Sequence, residues 1–231
     1  MPMTRGLRLM STLALRGPLE EALLGALTAR TGHAPEVRWA PAGVLADELR
    51  AGAAADLVIL TRELLSALQT ERSIRPGRVH VLASSAVGLA VPAGHPLPDI
   101  SDAAAVRAAF LAARSVAWSS QGASGQHFLT LLDRLGISEH VLPRACRIET
   151  GLAGAKLRSG DADLAIQQLS ELHMVEGISI LGPLPEEIGA TSVFALGVTS
   201  DSADEAGFIS LAKEPAFCAA LIQFGLTPRD E

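Results

Sequence analysis

Apolar positions along the chain fall into short unbroken runs that alternate with stretches of three- and four-residue spacing, the two periods that mark buried strands and amphipathic helices. Leu7 to Leu15 is an apolar run carrying Ser11 and Thr12, and after Pro18 come Leu19, Leu23, Leu24 and Leu27 at helical spacing. This predicts strand, loop and helix, with Pro18 early in the helix where a missing N–H is tolerated. A strand is expected at Ala34 to Trp39, then the loop Ala40-Pro41-Ala42-Gly43 and a helix through Arg50. Asp56 to Leu60 reads as a buried strand, Thr61 as its exit, and Arg62 to Thr70 as the next helix. Strands alternating with helices through short polar loops imply right-handed βαβ units and a parallel sheet covered on both faces.

The pattern changes at Val79 to Ala83 and Val87 to Val91, two apolar runs with only Ser84, Ser85 and Ala86 between them. A boundary is expected there. Helix, strand, loop and helix then recur at Asp102 to Ala113, Ser115 to Trp118, Ser119 to Gly122, and Ser124 to Leu135. Further strands are expected at Arg147 to Glu149, Leu164 to Gln167, Ile178 to Leu181 and Ser192 to Val198. Helices are expected at Gly151 to Ser159, Asp204 to Lys213 and Pro215 to Phe224. The expected fold is α/β with two lobes, each a mostly parallel sheet flanked by helices. Residues 1–83 with 192–231 form lobe 1, and 84–191 form an inserted lobe 2.

In such sheets ligands gather beyond the carboxyl ends of the strands, where loops converge and helices present unpaired N–H groups. The exits here read Ser11-Thr12, Pro41-Ala42-Gly43, Thr61, Ser84-Ser85, Ser119 to Gly125, Glu149-Thr150-Gly151 and Gln167-Gln168. Nearly all are small, neutral and rich in hydroxyls or glycine, which suits an anion held by backbone N–H and Ser/Thr O–H donors. Ordinary helix capping is the other reading of any one of these loops. The densest is Ser119-Ser120-Gln121-Gly122-Ala123-Ser124-Gly125-Gln126-His127. It lacks the Gly-Lys-Ser/Thr ending of a P-loop and the second glycine of the GxSxG elbow. His127, in the first turn of the following helix, is the best acid–base candidate, its imidazole kept neutral by the positive helix end. Glu149 is a second candidate base, and Arg16 and Arg62 follow two exits.

Composition narrows the classes. Apolar residues make up 48% and charged residues 19%, so an ordered globular chain is expected. The formal charge is -6, the 19 Lys and Arg are scattered, and there is no Tyr and only two Trp, which disfavours nucleic-acid binding. Two cysteines, Cys146 and Cys218, sit in apolar surroundings without a CxxC and read as buried free thiols. No HExxH, paired-Cys or clustered-His spacing is present, so neither a protein-ligated metal nor a cofactor is expected. No run approaches the roughly 18 apolar residues of a membrane span. The first apolar stretch is broken by Arg16, Glu20 and Glu21, unlike a secretory leader. A cytoplasmic location is expected as the sequence stands, or a periplasmic one if a leader has been removed.

Several stretches resemble a known family. Strand–Ser, helix, Thr-Gly-His before a strand, the Ala-Pro-Ala-Gly loop and Ala-Asp-Leu-Val-Ile-Leu look like the molybdate-type class II solute-binding proteins, and the resemblance spans nearly the whole chain. Ala-Ser-Gly-Gln-His-Phe at 123–128, Leu-Leu-Asp-Arg-Leu-Gly-Ile at 131–137, Gln-Gln-Leu-Ser-Glu-Leu at 167–172 and Gly-Pro-Leu-Pro at 182–185 are similar to a divergent branch that includes an aconitate isomerase. The resemblance implies a cleft between two lobes, with anion contacts at Ser11, the Ala42-Gly43 loop, Thr61, Ser85 and Ser124. It departs from the family at the first loop, Ser-Thr-Leu-Ala, and in having no Tyr for a late contact.

The expected function is binding of a small oxyanion or polycarboxylate, with Ser11, Thr12, Ala42, Gly43, Thr61, Ser85, Ser119, Ser124, Gly125, Thr150 and Gln167 as contacts. A transporter permease is the expected partner if the chain is exported. The alternative is an aconitate-isomerase-like enzyme, in which His127 or Glu149 moves an allylic proton.

Overall fold

The computed structural model describes residues 6–74, 79–199 and 204–229. The first five residues, part of the start assessed above for a leader, lie outside them. The chain divides into two compact units, Met1–Ser84 with Val193–Glu231 and Ser85–Ser192.

In the first unit, β1 (Arg8–Thr12) lies between β2 (Glu36–Ala40) and β3 (Leu57–Thr61), all three parallel. β9 (Thr191–Val198) pairs antiparallel with β3, so the sheet is mixed rather than wholly parallel. Alternation along the strands sorts side chains onto the two faces. Leu9, Leu57 and Ile59 join one core with Leu15, Leu19 and Phe208, while Met10, Val58 and Leu60 join the other with Leu45, Leu65 and Leu68. The helix after β1 runs from α1 (Arg16–Pro18) through a π-helical turn, Leu19–Leu23, into α2 (Leu24–Thr31), and Gly32 ends it in the left-handed conformation at φ 76. α3 (Ala42–Arg50) follows β2 and α4 (Arg62–Thr70) follows β3.

The expected strand exit at Ser84-Ser85 is corrected. β4 (Val79–Pro92) is one continuous strand of 14 residues, because Ser84, Ser85 and Ala86 carry no breaker and fit a pleated backbone. Ser85 therefore lies within a strand and not at an exit. The chain enters the second unit along β4 and returns along β9.

In the second unit, β5 (Val116–Ser119) pairs in parallel with β6 (Cys146–Ile148) and β7 (Leu164–Gln168). β4 pairs antiparallel with β7 and with β8 (Ile178–Pro183). Val116, Trp118, Leu164 and Ile166 face one core with Phe110 and Phe128, and Ala90, Ala117 and Ala165 face the other with Leu157 and Leu172. α5 (Ala103–Ala112) is capped by Asp102, whose carboxylate accepts from Ala105 N at 2.8 Å. After α6 (Ala123–Arg134) and α7 (Ser138–Val141), the expected helix at 151–159 shortens to α8 (Ala155–Arg158), since Gly151, at φ 87, holds the chain out of helix. α9 (Leu169–Leu172) has no counterpart in the sequence reading. α10 (Glu205–Ala212), α11 (Pro215–Gln223) and β10 (Thr227–Pro228), which pairs with β4, return to the first unit. Both cysteines are free, and half-buried instead of buried.

Candidate functional site

In the first unit, the strand register sets Ser11 beside Trp39 and Ile59, and Thr12 beside Ala40, so three exits share the carboxyl edge. Thr12 and Thr61 already serve their own helices: Thr12 Oγ1 accepts from Ala14 N at 3.0 Å and Thr61 Oγ1 from Leu64 N at 3.3 Å. Ser11, fully buried, donates to the Thr12 carbonyl at 3.2 Å. The expected loop at 40–43 is shorter than read, because α3 begins at Ala42. With Pro41 as its N-cap, that helix has no side-chain cap, and Ala42 and Gly43 lie in its first turn, where backbone N–H groups are unpaired. Arg16 stacks over Trp39 with its guanidinium 5.8 Å from the ring and pairs with Glu20 at 2.9 Å.

In the second unit the register sets Ser119 beside Ile148 across β5 and β6, while β5 pairs with β7 through Val116 with Leu164 and Ala117 with Ala165, so Ser119 and Gln167 both follow the paired stretch. α6 starts just beyond. Its N-cap is Gly122, which supplies no side-chain cap, and Gly125 passes so near the Ser119 carbonyl that a Cβ there would collide with it. That approach gathers hydroxyls: a Cβ on Gly122 would meet Ser119 Oγ at 3.6 Å and Ser124 Oγ at 3.7 Å. Ser119 and Ser124 are 4% and 1% exposed, and neither hydroxyl has a hydrogen-bond partner among the described residues. The result is two hydroxyls and the first N–H groups of a twelve-residue helix around the space above a glycine.

A second set of polar groups lies at the exit of β7. The Gln167 side chain, 1% exposed, accepts from Gly154 N at 3.3 Å through Oε1. A backbone N–H can only donate, which fixes the amide orientation and leaves Gln167 Nε2 as a buried donor without a close hydrogen bond, directed at the Glu171 carboxyl. Ser170 Oγ, also 1% exposed, has none either, although Ser170 N donates to Ser85 Oγ at 3.3 Å. Gln168 Nε2 reaches Ser192 Oγ at 2.8 Å. Buried polar atoms without partners are scarce in folded chains and call for a ligand, an ion or water. Glu171, next along α9, keeps some contact with solvent but is set deep among protein atoms. Burial raises its carboxyl to about 7, partly offset by the Gln168 backbone and the Gln167 side chain. Ser170 and Glu171 were missed as site residues, although both sit in the motif Gln-Gln-Leu-Ser-Glu-Leu; a short polar run straight after an unbroken apolar strand was the available signal.

The two expected acid–base residues stand apart from these sets. His127 Nε2 lies 2.9 Å from the Ile188 carbonyl, which can only accept, so the neutral ring carries its proton on Nε2. Its pKa is lowered first by burial, against the Ile188 hydrogen bond and with the charge of Arg134, and not by the helix end expected from the sequence. Glu149 and Thr150 are exposed, and Glu149 pairs with Arg147 at 3.2 Å. Among the described residues no cluster of His, Cys, Asp and Glu could hold a metal ion, and no helix is long and apolar enough to cross a membrane.

Two α/β units linked along β4 and β9, each with strand exits rich in hydroxyls and amides, define the type II periplasmic-binding-protein fold. The periplasmic molybdate-binding protein of Azotobacter vinelandii superposes with a TM-score of 0.74 at 24% identity, covering 96% of this chain and 98% of that one. A sulfate-binding protein of Mycobacterium tuberculosis gives 0.74 at 17% identity, covering 98% and 88%. Residues 7–227 match the family described as bacterial extracellular solute-binding protein, and the chain belongs to that family. An aconitate isomerase of a Pseudomonas species is 30% identical over 171 residues, 74% of this chain. The chain spans 61% of that relative's length.

Proposed function

We propose that the chain binds a small oxyanion or small polycarboxylate; the candidate donors are Ser119, Ser124, Gln167 and Ser85 within the second unit, and, considered by itself, the first unit offers Ser11 and the α3 amino end. The observation that carries this reading is the pair of hydroxyls of Ser119 and Ser124, on buried residues at the uncapped start of α6, which have no internal acceptor and keep contact with solvent. Such a site neutralises an anion through dipoles and needs no cationic cluster. The solved structures of similar fold include molybdate- and sulfate-binding proteins, which supports an oxyanion. The family's description supports work outside the cytoplasmic membrane, and a transporter permease as partner is supported by the similar fold of a substrate-binding domain assigned to a molybdenum ABC transporter from Clostridium difficile.

A second reading, an allylic proton shift in an unsaturated polycarboxylate, is supported by the aconitate isomerase relative and by a carboxyl at Glu171 that titrates near neutrality. In that reading His127 and Glu149 are the weaker proton carriers, one engaged by a carbonyl and the other exposed.

The test is a thermal-shift panel of molybdate, tungstate, sulfate and phosphate against citrate, cis-aconitate and trans-aconitate. An anion at about 100 times its Kd adds roughly 2.7 kcal/mol. Ser119→Ala and Ser124→Ala are each expected to weaken the anion. Stabilisation by none of the seven overturns the proposal, and interconversion of the two aconitates establishes the second reading.

A further inference from the structure

In the first unit, the start of β4, the end of α10 and the residue after β10 meet around a cavity of about 40 Å³. His80, Lys213 and Arg229 line it, together with apolar residues of β4 and α10 that include Leu82 and Ile209. We propose that this cavity binds one small oxyanion group, a phosphate, a sulfate or a carboxylate, held between Lys213 and Arg229. The site lies in the first unit and does not rest on the hydroxyls of the second.

The chain as a whole is acidic, with 25 Asp and Glu against 19 Lys and Arg. The cavity reverses that balance, since its lining among the described residues holds three basic side chains and no carboxylate. Elsewhere in this unit arginines are matched: Arg16 with Glu20, Arg30 with Asp204, Arg38 with Glu48 and Arg50 with Glu71. Among the described residues neither Lys213 nor Arg229 has an acidic partner. Glu205, on α10, is held 2.7 Å from His80 Nε2 and does not line the cavity.

The fold places both cations. Lys213 is the C-cap of α10, its N–H shared between the Ile209 and Ser210 carbonyls at 3.2 and 3.3 Å. A helix carboxyl end favours a cation there, but it accounts for Lys213 alone. Arg229 arrives from a different element: its backbone N–H donates to the Leu82 carbonyl at 3.2 Å, and its Nε donates to Ser84 Oγ at 3.2 Å. That side-chain bond uses the Nε–H and leaves both terminal NH2 groups to donate. A planar guanidinium and a compact ammonium beside one space suit the oxygens of a single oxyanion. Without an anion the two cations repel one another across apolar surroundings, where charges are poorly screened. The volume admits one such group and shuts out a bulky ligand. A bound anion would also tie the end of α10 to Arg229, just beyond a strand whose own pairing with β4 covers only Thr227 and Pro228.

The experiment is heteronuclear NMR of the whole labelled chain, titrated with phosphate, sulfate and acetate at millimolar concentration and constant ionic strength. The amides of His80, Leu82, Lys213 and Arg229 should shift saturably with one or more of the three, and the tightest of them identifies the headgroup that fits. Lys213→Met and Arg229→Met keep the aliphatic stem and remove the charge, and each should weaken that anion about tenfold. No saturable shift at these amides with any of the three overturns the proposal, as does unchanged affinity in either variant. Shifts confined to Ser119 through His127 overturn this site and leave the reading of the second unit standing. The titration of the unaltered chain decides the matter even if a variant is unstable.

Discussion

The backbone of Gly125 runs directly against the carbonyl oxygen of Ser119, leaving no room for even a methyl group. The contact pins the first turn of α6 to the end of β5 and holds Ser119 and Ser124 around Gly122. Because the obstructing atom is backbone, relief requires the helix to shift. Gly125→Ala is therefore expected to cost about 3 kcal/mol in urea unfolding and to abolish stabilisation by anions. An alanine variant with unchanged midpoint and unchanged anion response would show that the approach is not a constraint.

Hydroxyls at the strand exits should separate by what they already do. Thr61 caps α4, so Thr61→Ala should lose about 1 kcal/mol of stability. Ser119 and Ser124 satisfy nothing internally, so Ser119→Ala and Ser124→Ala should leave the ligand-free melting temperature within about a degree while each weakens the anion roughly tenfold. Equal destabilisation by all three would mean that the serines are structural.

Stability should also depend on pH through Glu171. Its folded-state value near 7 lies above the ordinary 4.5, so the folded chain holds the proton more tightly than the unfolded one. That contribution is complete below about pH 4.5 and is lost as pH rises through about 7, by up to about 3 kcal/mol. Urea midpoints of the ligand-free chain at pH 5.5 and 8.5 should differ in that direction, and Glu171→Gln should narrow the gap. His127 and His173, with lowered values, act in the opposite sense below pH 6.5 and are common to both proteins.

At the other end of β3, Asp56 is 1% exposed and accepts from Arg8 N at 2.9 Å and from its guanidinium at 3.3 Å. Asp56→Ala strips a buried network of its acceptor and should cost about 3 kcal/mol with no selective effect on the anion, read by chemical unfolding. A loss below about 0.5 kcal/mol would place that network outside the stabilising core.

Strand and helix identities in the first unit were legible because each strand is an unbroken apolar run and each helix repeats at three and four. Leu57 to Leu60 shows why: alternate residues serve two different cores, which demands apolar character at every position. The length of β4 was not legible, since Ser84 and Ser85 mimic a turn until burial and pairing reveal a strand. Ser119, Ser124 and Gln167 could be picked out by place, at exits of neighbouring strands. Which donors lack partners depends on contacts distant in sequence, such as Gly154 with Gln167, and the same distance hid Glu171 and disguised His127, whose carbonyl partner is Ile188.

The order in which the strands are made has a cost during synthesis. β9 covers the whole edge of β3, from Val198 against Leu57 to Phe194 against Thr61, yet it leaves the ribosome only after the entire second unit. At ~5–20 residues per second the edge of β3 waits on the order of ten seconds for its partner. An unpaired apolar edge is a template for another chain. Rapid folding of the second unit, which contains its own sheet, shortens nothing in that wait; only a chaperone or the arrival of β9 can end it.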